Sequence, residues 1–313
     1  MVTKLPTTVA ASQEGQLLQQ AVEYVTSKCS DTEVGKRPAT AIILGSGLGG
    51  LADQITDAVV LSYQNIPGFE ISSAGGHRGD LILGCIGSSP VIAMAGRFHR
   101  YEGWSNQQIA FPVKLMARLN ASKLIVSNAA GGVNPKLRVG DIVVIRDHLN
   151  FMGLCDFRGA EGLRNTASAA DQESPNLRRA PENQTGDVVG CPGLMRAAEI
   201  YDSQMSREAV RVGTKGGFNV YPGTYLATLG PTYETRSEYR MMRRIGADVA
   251  GMSTVPEVLA GSAAGMRILG LSMVSNVANP DQPIKADHSE VLEAGAAAAV
   301  KLESIVRDVL NCG

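Results

Sequence analysis

The sequence predicts an α/β protein in which helices pack against a central, largely buried sheet. Short β-type runs alternate with longer stretches of helical periodicity along the 313 residues, a pattern typical of a sheet covered by helices. Several of the short runs are apolar throughout instead of alternating, which indicates strands buried on both faces. Because no linker separates the strand signals, we expect a single domain spanning residues 1–313.

Strand and helix signals can be placed along the chain. The predicted strands lie at 41–44, 58–62, 81–85, 91–95, 123–127, 141–145, 224–228, 248–252 and 267–274. Three helix starts carry a Thr or Asp followed three residues later by Glu, the pattern of a capping box: Thr235 with Glu238, Thr254 with Glu257, and Asp287 with Glu290. The polar segment at about 156–193 breaks the periodicity, and we predict a mobile loop there.

Composition favours a small ligand over a large charged partner. With 29 basic and 30 acidic residues, the chain has no charge excess that would attract nucleic acid or an anionic membrane. We recognise neither a secretory signal nor an apolar run of about 20 residues, so we expect a cytoplasmic protein. The five cysteines are scattered without a C-x-x-C spacing, and we expect them to be reduced and structural.

The first candidate site segment is glycine-rich and follows the first predicted strand. Residues 45–50 read GSGLGG, which satisfies the G-x-G-x-x-G pattern. A nicotinamide dinucleotide site would also need an acidic residue about 20 positions later, at a strand end. Glu70 has that spacing but follows a Pro-Gly turn, so an NAD-dependent oxidoreductase is the weaker alternative. A single phosphate, approached by backbone N–H groups and the Ser46 hydroxyl, fits better.

A second segment, GRFHRYEG at residues 96–103, follows another predicted strand. Alternation places Arg97, His99 and Tyr101 on one side of an extended chain. The forked donors of arginine and the imidazole suit an oxyanion. The alternative is a surface strand end at which Arg97 pairs with a carboxylate. His77 lies in a glycine turn, which by itself is more typical of a structural histidine.

Further polar residues occur where other strands end. The SNAAGG run at 127–132 lets backbone amides approach a ligand, although a plain tight turn also explains it. Ser253 precedes a predicted helix, whose N-terminus attracts anions, and we interpret Glu257 as its capping carboxylate and not as a catalytic group. Glu234 comes too early to cap the next helix and is available to a ligand. Asn276 ends an apolar strand and needs partners, which a base edge or a backbone carbonyl could supply.

Taken together, these motifs resemble the trimeric purine nucleoside phosphorylases. They occur in the family's order between about residues 40 and 295: GSGLGG, GHRGD, GRFHRYEG, SNAAGGVNP, GDIVVIRDHLNFMG, GPTYET, GMSTVPEV, Ser275-Asn276 and Asp287-His288. The resemblance implies a three-layer α/β sandwich around a mixed, distorted barrel-like sheet, and a homotrimer. It also implies reversible phosphorolysis of 6-oxopurine nucleosides such as inosine and guanosine, with inorganic phosphate as co-substrate and with no cofactor or metal.

The resemblance assigns roles to individual residues. It implies a phosphate site made by Ser46, His77, Arg97, His99, the backbone at Ala129, and Ser253. It implies ribose contacts from Tyr101, Met252 and His288, and purine contacts from Tyr233, Glu234 and Asn276. Asn276, Glu234 and His99 would be the catalytic groups. Asn276 would hydrogen-bond N7 and the 6-oxygen of the base, while Glu234 would accept the N1 proton.

Two alternatives within this reading stay open. A methylthioadenosine phosphorylase, from the sister family, typically has Asp where this chain has Asn276. A nucleoside-binding sensor without turnover is kept open by the loop at about 156–193, which departs from the family pattern. The family brings an aromatic residue from the neighbouring subunit over the ribose, and Phe157 is the candidate for it in this chain.

Overall fold

A computed structural model describes residues 7–29, 33–34, 36–45, 49–70, 78–153, 199–281 and 288–311; the side chains at 7–12, 49 and 288–297 are not part of this description. Within these ranges nine strands are present: β1 (Ala39–Leu44), β2 (Thr56–Ser62), β3 (Asp80–Ile86), β4 (Ser89–Ala95), β5 (Ala121–Gly132), β6 (Ile142–Asn150), β7 (Val220–Ala227), β8 (Val249–Gly251) and β9 (Arg267–Val277). Each overlaps one of the predicted strands, so that part of the prediction is confirmed.

The strands form one mixed sheet, part of which closes on itself. Their order is β2-β3-β4-β1-β5-β8-β7-β6-β9, and β9 also pairs in parallel with β5. This extra pairing closes β5, β8, β7, β6 and β9 into a five-stranded barrel, from which β1, β4, β3 and β2 extend as an open sheet. The mixed, distorted barrel-like sheet that the resemblance implied is therefore confirmed.

Helices cover both faces of the sheet. The helices are α1 (Thr7–Lys28), α2 (Gly49–Ala52), α3 (Asn106–Arg118), α4 (Ser203–Gly216), α5 (Arg236–Arg244), α6 (Val255–Ala263) and α7 (His288–Asn311), with single 3₁₀ turns at Tyr63–Asn65 and Arg100–Glu102. In β1, Ala41 and Ile43 join the core that α1, α3 and α6 cover, whereas Ile42 and Leu44 face α4 and α7. This alternation puts one apolar layer on each side of the strand. The three-layer α/β arrangement is thus confirmed.

Only one of the three predicted capping boxes can be confirmed. Thr235 caps α5: its Oγ1 accepts from the Glu238 amide at 3.3 Å, and the Glu238 carboxylate accepts from the Thr235 amide at 2.6 Å. The Thr254 prediction is wrong, because Thr254 has φ +76° and its side chain makes no capping hydrogen bond. In the third pair, Asp287 and the Glu290 side chain lie outside the described part of the chain.

Other expectations can be compared with the structure only in part. The predicted loop at 156–193 lies outside the described residues, as do Phe157 and three cysteines, Cys155, Cys191 and Cys312. Cys29 and Cys85 are both buried. Among the helices that the structure describes, none is both long enough and apolar enough to cross a bilayer.

Asp202 links α4 to the barrel and provides a stability test. Its Oδ1 accepts from the Met205 amide at 2.8 Å, and its Oδ2 accepts from the Arg267 Nε at 2.7 Å. The hydrogen bond from Arg267 is the main cause that lowers the pKa of Asp202 below its ordinary value. We expect Asp202→Ala to lower the free energy of unfolding by about 1–2 kcal/mol at pH 7, measured by denaturant titration.

This difference should depend on pH in a defined direction. The pKa of Asp202 is lower in the folded state. Its contribution to the free energy of unfolding is therefore fully present above the unfolded pKa of about 4, and it is lost as the pH falls through the folded pKa. The difference in the free energy of unfolding between wild type and Asp202→Ala should therefore become smaller in acid. Asp202→Asn, which can cap the helix without a charge, should lose less stability at pH 7. An equal gap at neutral and acid pH would contradict the assignment.

Candidate active site

One pocket brings together most of the residues singled out in the sequence. Nine of them line it: Arg97, His99, Tyr101, Ala129, Tyr233, Glu234, Met252, Ser253 and Asn276. Ser46 and His77 lie outside the described residues, and His288 begins α7 with a side chain that is not described. The structure thus shows that residues as far apart in sequence as Arg97 and Asn276 meet at one place, whereas their individual binding roles remain predictions.

The sheet topology explains why they meet. Strands β1, β4, β5 and β9 run parallel, so their carboxyl ends lie at one edge of the sheet. Arg97 follows β4, Ala129 lies in β5 and Asn276 lies near the end of β9. Strand β8 runs antiparallel to β5 but pairs with its end, Gly131 opposite Ala250. The residues after β8 therefore return to the same edge.

Gly45, which opens the glycine-rich segment, is required by close backbone packing. Its amide donates to Ser127 Oγ at 3.1 Å, and Ser127 Oγ in turn donates to the Ile43 carbonyl at 3.1 Å. A Cβ at position 45 would lie only 2.3 Å from the Ser127 carbonyl oxygen. Only glycine allows the ends of β1 and β5 to approach so closely at the pocket wall.

Arg97 forms the charged floor of the pocket and is only 2% exposed. Its Nη1 donates to Ser253 Oγ at 2.8 Å and to Thr254 Oγ1 at 3.1 Å, and its Nη2 donates to the Ser127 carbonyl. Its Nε lies 3.7 Å from Glu257 Oε1. Both sequence interpretations therefore hold in part: Arg97 lines the pocket and also faces a carboxylate, but it does so in the interior and not at the surface.

Glu257 is the buried counter-charge of Arg97. The interpretation of Glu257 as a helix-capping carboxylate holds in part: backbone amides of Thr254 and of Glu257 itself act on the carboxyl and lower its pKa, but the Thr254 side chain does not complete the box, and Glu257 is only 2% exposed. Burial raises the pKa of Glu257, and the positive charge of Arg97 opposes that rise. The Glu257 carboxylate thus lies in the interior, next to the Arg97 guanidinium that lines the pocket.

Glu102 orients His99. Its Oε1 lies 2.9 Å from His99 Nδ1 and also accepts from the His99 backbone amide at 2.9 Å. A carboxylate only accepts, so His99 carries a proton on Nδ1, and Nε2 is the nitrogen that can exchange a proton with a ligand. The ring stacks on Tyr101 with centroids 4.7 Å apart. Sequence reasoning missed Glu102, although its position three residues after His99 was visible.

A further part of the pocket lining carries an acceptor and a carboxamide. Glu234 Oε1 accepts from Thr228 Oγ1 at 3.1 Å, and burial together with the Glu234 charge raises the pKa of neighbouring Tyr239. Ser275 Oγ donates to Asn276 Oδ1 at 3.0 Å. Because this bond identifies Oδ1 as the acceptor, the NH₂ group of Asn276 is the donor that a ligand can use. This end can therefore pair with a ring that offers both an N–H and a carbonyl.

Met252 and Tyr101 line the pocket and both pack near Gly230. Gly230 has φ +65°, and a Cβ there would lie 2.3 Å from Met252 Sδ and 3.3 Å from the Tyr101 ring. Glycine at this corner thus lets the segment before α5 pack directly on both side chains. Tyr233 is 49% exposed at the mouth of the pocket, where an aromatic face can cover part of a bound ligand.

Eight further residues line the pocket without having been assigned an individual role. Six lie in motifs that the sequence analysis singled out, Gly45, Asn128, Ala130, Gly131, Gly251 and Ser275, whereas Tyr239 and Ala250 lie outside them. Asn128 is the one with most polar chemistry. Its Nδ2 donates to Thr254 Oγ1 at 2.9 Å, and its buried Oδ1 has no hydrogen-bond partner among the described residues. The SNAAGG motif contained this signal, but its interpretation considered only the backbone amides.

Comparisons with known proteins agree with this geometry. The sequence matches the phosphorylase superfamily over residues 39–311. Purine nucleoside phosphorylase 1 of Bacillus subtilis is 42% identical over 258 residues, which cover 82% of this chain and 85% of that protein. Purine nucleoside phosphorylase of Rattus norvegicus is 41% identical over 274 residues, covering 86% and 87%.

A solved structure is similar over almost the whole chain. Purine nucleoside phosphorylase of Schistosoma mansoni, crystallised in complex with inosine, has a TM-score of 0.75 and 34% identity, covering 94% of this chain and 95% of that chain. A family match over most of the sequence, two relatives near 40% identity and this structural likeness all point the same way. The chain belongs to the phosphorylase superfamily and, within it, to the purine nucleoside phosphorylases.

Proposed function

We propose that this enzyme catalyses the reversible phosphorolysis of 6-oxopurine ribonucleosides and deoxyribonucleosides, forming the free base and ribose 1-phosphate or its deoxy form. The observation that carries this proposal is the shared pocket. Arg97 and Ser253 line it as donors for an oxyanion, and Glu234 and Asn276 line it as partners for a purine. The relatives named above are purine nucleoside phosphorylases, which supports the same reaction.

The reaction places opposite charges in the two halves of the pocket. As the bond between C1′ and the purine N9 breaks, positive charge develops on the ribose ring and the electron pair passes into the base. A phosphate oxygen forms the new bond to C1′. A site that stabilises both charges in the transition state accelerates this step. Arg97, His99 and Ser253 hold the anion, together with Ser46, His77 and the backbone at Ala129.

The purine end takes up the negative charge. Asn276 donates from its NH₂ group to the base at the 6-oxygen and N7 edge, and Glu234 accepts the N1 proton of a 6-oxopurine. Tyr233 covers the base, while Tyr101, Met252 and His288 contact the ribose. Adenine has no N1–H, so its lone pair would face the Glu234 carboxylate. Mismatches of this kind cost about 10⁴-fold in discrimination, which disfavours adenosine and methylthioadenosine as substrates.

The same proposal includes the co-substrate, the oligomeric state and the cellular compartment of the enzyme. Inorganic phosphate is a co-substrate, and the reaction as written uses no cofactor or metal. We expect a homotrimer in the cytoplasm. The large side chains of Phe151, Leu229, Met241 and Ile245 are exposed on the single chain, which is consistent with contacts between subunits. Sedimentation of the full chain tests the oligomeric state, and a monomer would contradict this part.

An assay with and without phosphate tests the reaction itself. Inosine with phosphate should yield hypoxanthine and ribose 1-phosphate, because phosphate is the nucleophile. No cleavage should occur when phosphate is omitted, and adenosine and methylthioadenosine should react poorly. Product analysis by chromatography measures each outcome.

Three results would contradict the proposal in different ways. Equal cleavage without phosphate would identify a hydrolase. A preference for methylthioadenosine would identify the sister activity. Tight binding of inosine in calorimetry with no product formed would identify a nucleoside sensor.

A further inference from the structure

Thr254 adopts a conformation that its residue type disfavours. It has φ +76° and ψ −50°, and the Val255 amide donates across it to the Ser253 carbonyl at 2.8 Å, which makes a γ-turn with positive φ. A β-branched residue is unfavourable in this region, so the surrounding structure must hold it there. Thr254 is fully buried and lies behind the pocket wall, one position after Ser253.

The turn aims the Thr254 hydroxyl at two donors. Thr254 Oγ1 accepts from Arg97 Nη1 at 3.1 Å and from Asn128 Nδ2 at 2.9 Å. A hydroxyl has two acceptor positions and one proton, so these two bonds use its acceptor capacity. Its proton is then directed to Ser253 Oγ, which lies 3.2 Å away. The donors thus determine the direction of the bond between the two hydroxyls.

These bonds also determine the direction in which the Ser253 hydroxyl donates. Its Oγ accepts from Arg97 Nη1 at 2.8 Å and, by the previous step, from Thr254. With both acceptor positions occupied, the Ser253 proton is left to point into the pocket that this residue lines. The Ser253 backbone is also fixed, because its amide and its carbonyl each lie 3.3 Å from the Tyr225 hydroxyl.

We propose that Thr254 is a positioning residue of the anion site: its γ-turn places a hydroxyl that makes Ser253 an obligate hydrogen-bond donor and holds Arg97 and Asn128 beside it. The inference rests on the proposed function in one respect, namely that inorganic phosphate is the anion bound here. A wall of oriented donors stabilises phosphate oxygens without reorganisation on binding. The Thr254 hydroxyl bonds Arg97, Asn128 and Ser253, so we expect its effect to be confined to phosphate.

Two substitutions at Thr254 separate the hydroxyl from the side-chain shape. Thr254→Val keeps the branched shape and removes the hydroxyl, and we expect the KM for phosphate to rise about 10-fold or more, since hydrogen bonds to charged groups have this size. The KM for inosine should change by less than about twofold, because the purine end is untouched. Thr254→Ser keeps the hydroxyl and should resemble the wild type.

A double-mutant cycle identifies the route of the effect. If Thr254 acts through the Ser253 proton, Thr254→Val should have little further effect on the KM for phosphate when Ser253→Ala is already present, because coupled residues are non-additive. Additive effects would overturn the proposal. So would a phosphate KM unchanged by Thr254→Val, or an inosine KM that rises in the same proportion, since both indicate a merely structural role.

Binding of phosphate alone keeps this inference separate from the proposed function. Phosphate should raise the Tm of the full chain without nucleoside, and Thr254→Val should reduce that rise. Thr254→Gly, which relieves the positive φ but also lacks the hydroxyl, should reduce it too and replaces the valine variant if that one fails to fold. Stabilisation by phosphate without turnover would refute only the proposed function, whereas no stabilisation of the wild type would overturn both.

Discussion

Replacing Arg97 by methionine is expected to lower kcat/KM for phosphate by about 10³-fold or more. Removal of a single oriented donor from a site that stabilises developing charge costs about 10²–10³-fold, and Arg97 supplies a full charge as well. It also donates to both Ser253 and Thr254, so its loss disorganises the remaining donors. Initial rates at saturating inosine and varied phosphate measure the effect.

The same substitution should destabilise the fold through Glu257. Arg97 Nε and Glu257 Oε1 are 3.7 Å apart, with both side chains at most 3% exposed. Loss of one partner of a buried pair costs about 3–5 kcal/mol, and burial already raises the pKa of Glu257. Adding Glu257→Gln to Arg97→Met should therefore recover much of the lost stability, measured by Tm, without recovering activity.

Two controls separate catalysis from folding. Arg97→Lys keeps the positive charge but loses the forked geometry. Its kcat/KM for phosphate and its Tm should both lie between those of wild type and Arg97→Met. Arg307→Met removes an arginine that bonds Gln54 at the surface of α7, and it should leave both rate and stability nearly unchanged. Recovery of activity in the double variant would show that Arg97 contributes only to stability.

Strands such as β1 and β4 could be predicted because they are short, continuous apolar runs. β1 and β4 are buried on both faces, which removes the alternation and leaves an unmistakable signal. The extent of β5 could not be predicted. It continues to Gly132 because its small residues pair with β8 and β9, and β9 is distant in sequence. The closure of the barrel by the β5–β9 pairing came from the family resemblance and not from any local pattern.

Local patterns failed where buried polar contacts override them. The Thr-x-x-Glu pattern at Thr254 is the same as the one that correctly marked α5, yet Thr254 and Glu257 turn toward Arg97. Nothing in the sequence near Thr254 indicates an arginine more than 150 positions earlier. In contrast, Glu102 lies only three residues from His99 and joins it within one turn, so a local search for a carboxylate could have found it.

The candidate site was easier to predict than the helices. Its residues follow apolar strands directly, and parallel strands bring their carboxyl ends to one edge. Helices α1, α3 and α4 lacked a predicted boundary, although Ser105 and Asp202 cap α3 and α4 in the structure. A capping residue is informative only when the following segment is already known to be helical.

Asn276→Asp is expected to reduce the preference for inosine over adenosine by about 10²-fold or more. In the wild type Ser275 donates to Asn276 Oδ1, which leaves the NH₂ group to donate to a 6-oxygen. A carboxylate has no such donor, so it opposes the 6-oxygen of inosine and instead accepts from a 6-amino group. The ratio of kcat/KM for the two nucleosides at saturating phosphate measures the change.

The charge that this substitution adds must be separated from the change of donor. Asn120→Asp adds the same charge at an exposed position between α3 and β5, where φ is +68°, and asparagine and aspartate both tolerate this conformation. It should leave the preference unchanged. Ser275→Ala removes the hydroxyl that donates to Asn276 Oδ1 and also lies 3.3 Å from the Ala130 carbonyl, and it should weaken the preference by less than about 10-fold. Asn276→Asp could instead lower kcat/KM for inosine and for adenosine by the same factor while phosphate binding is retained. That result would show that Asn276 does not distinguish the 6-substituent and that Glu234 alone selects the purine.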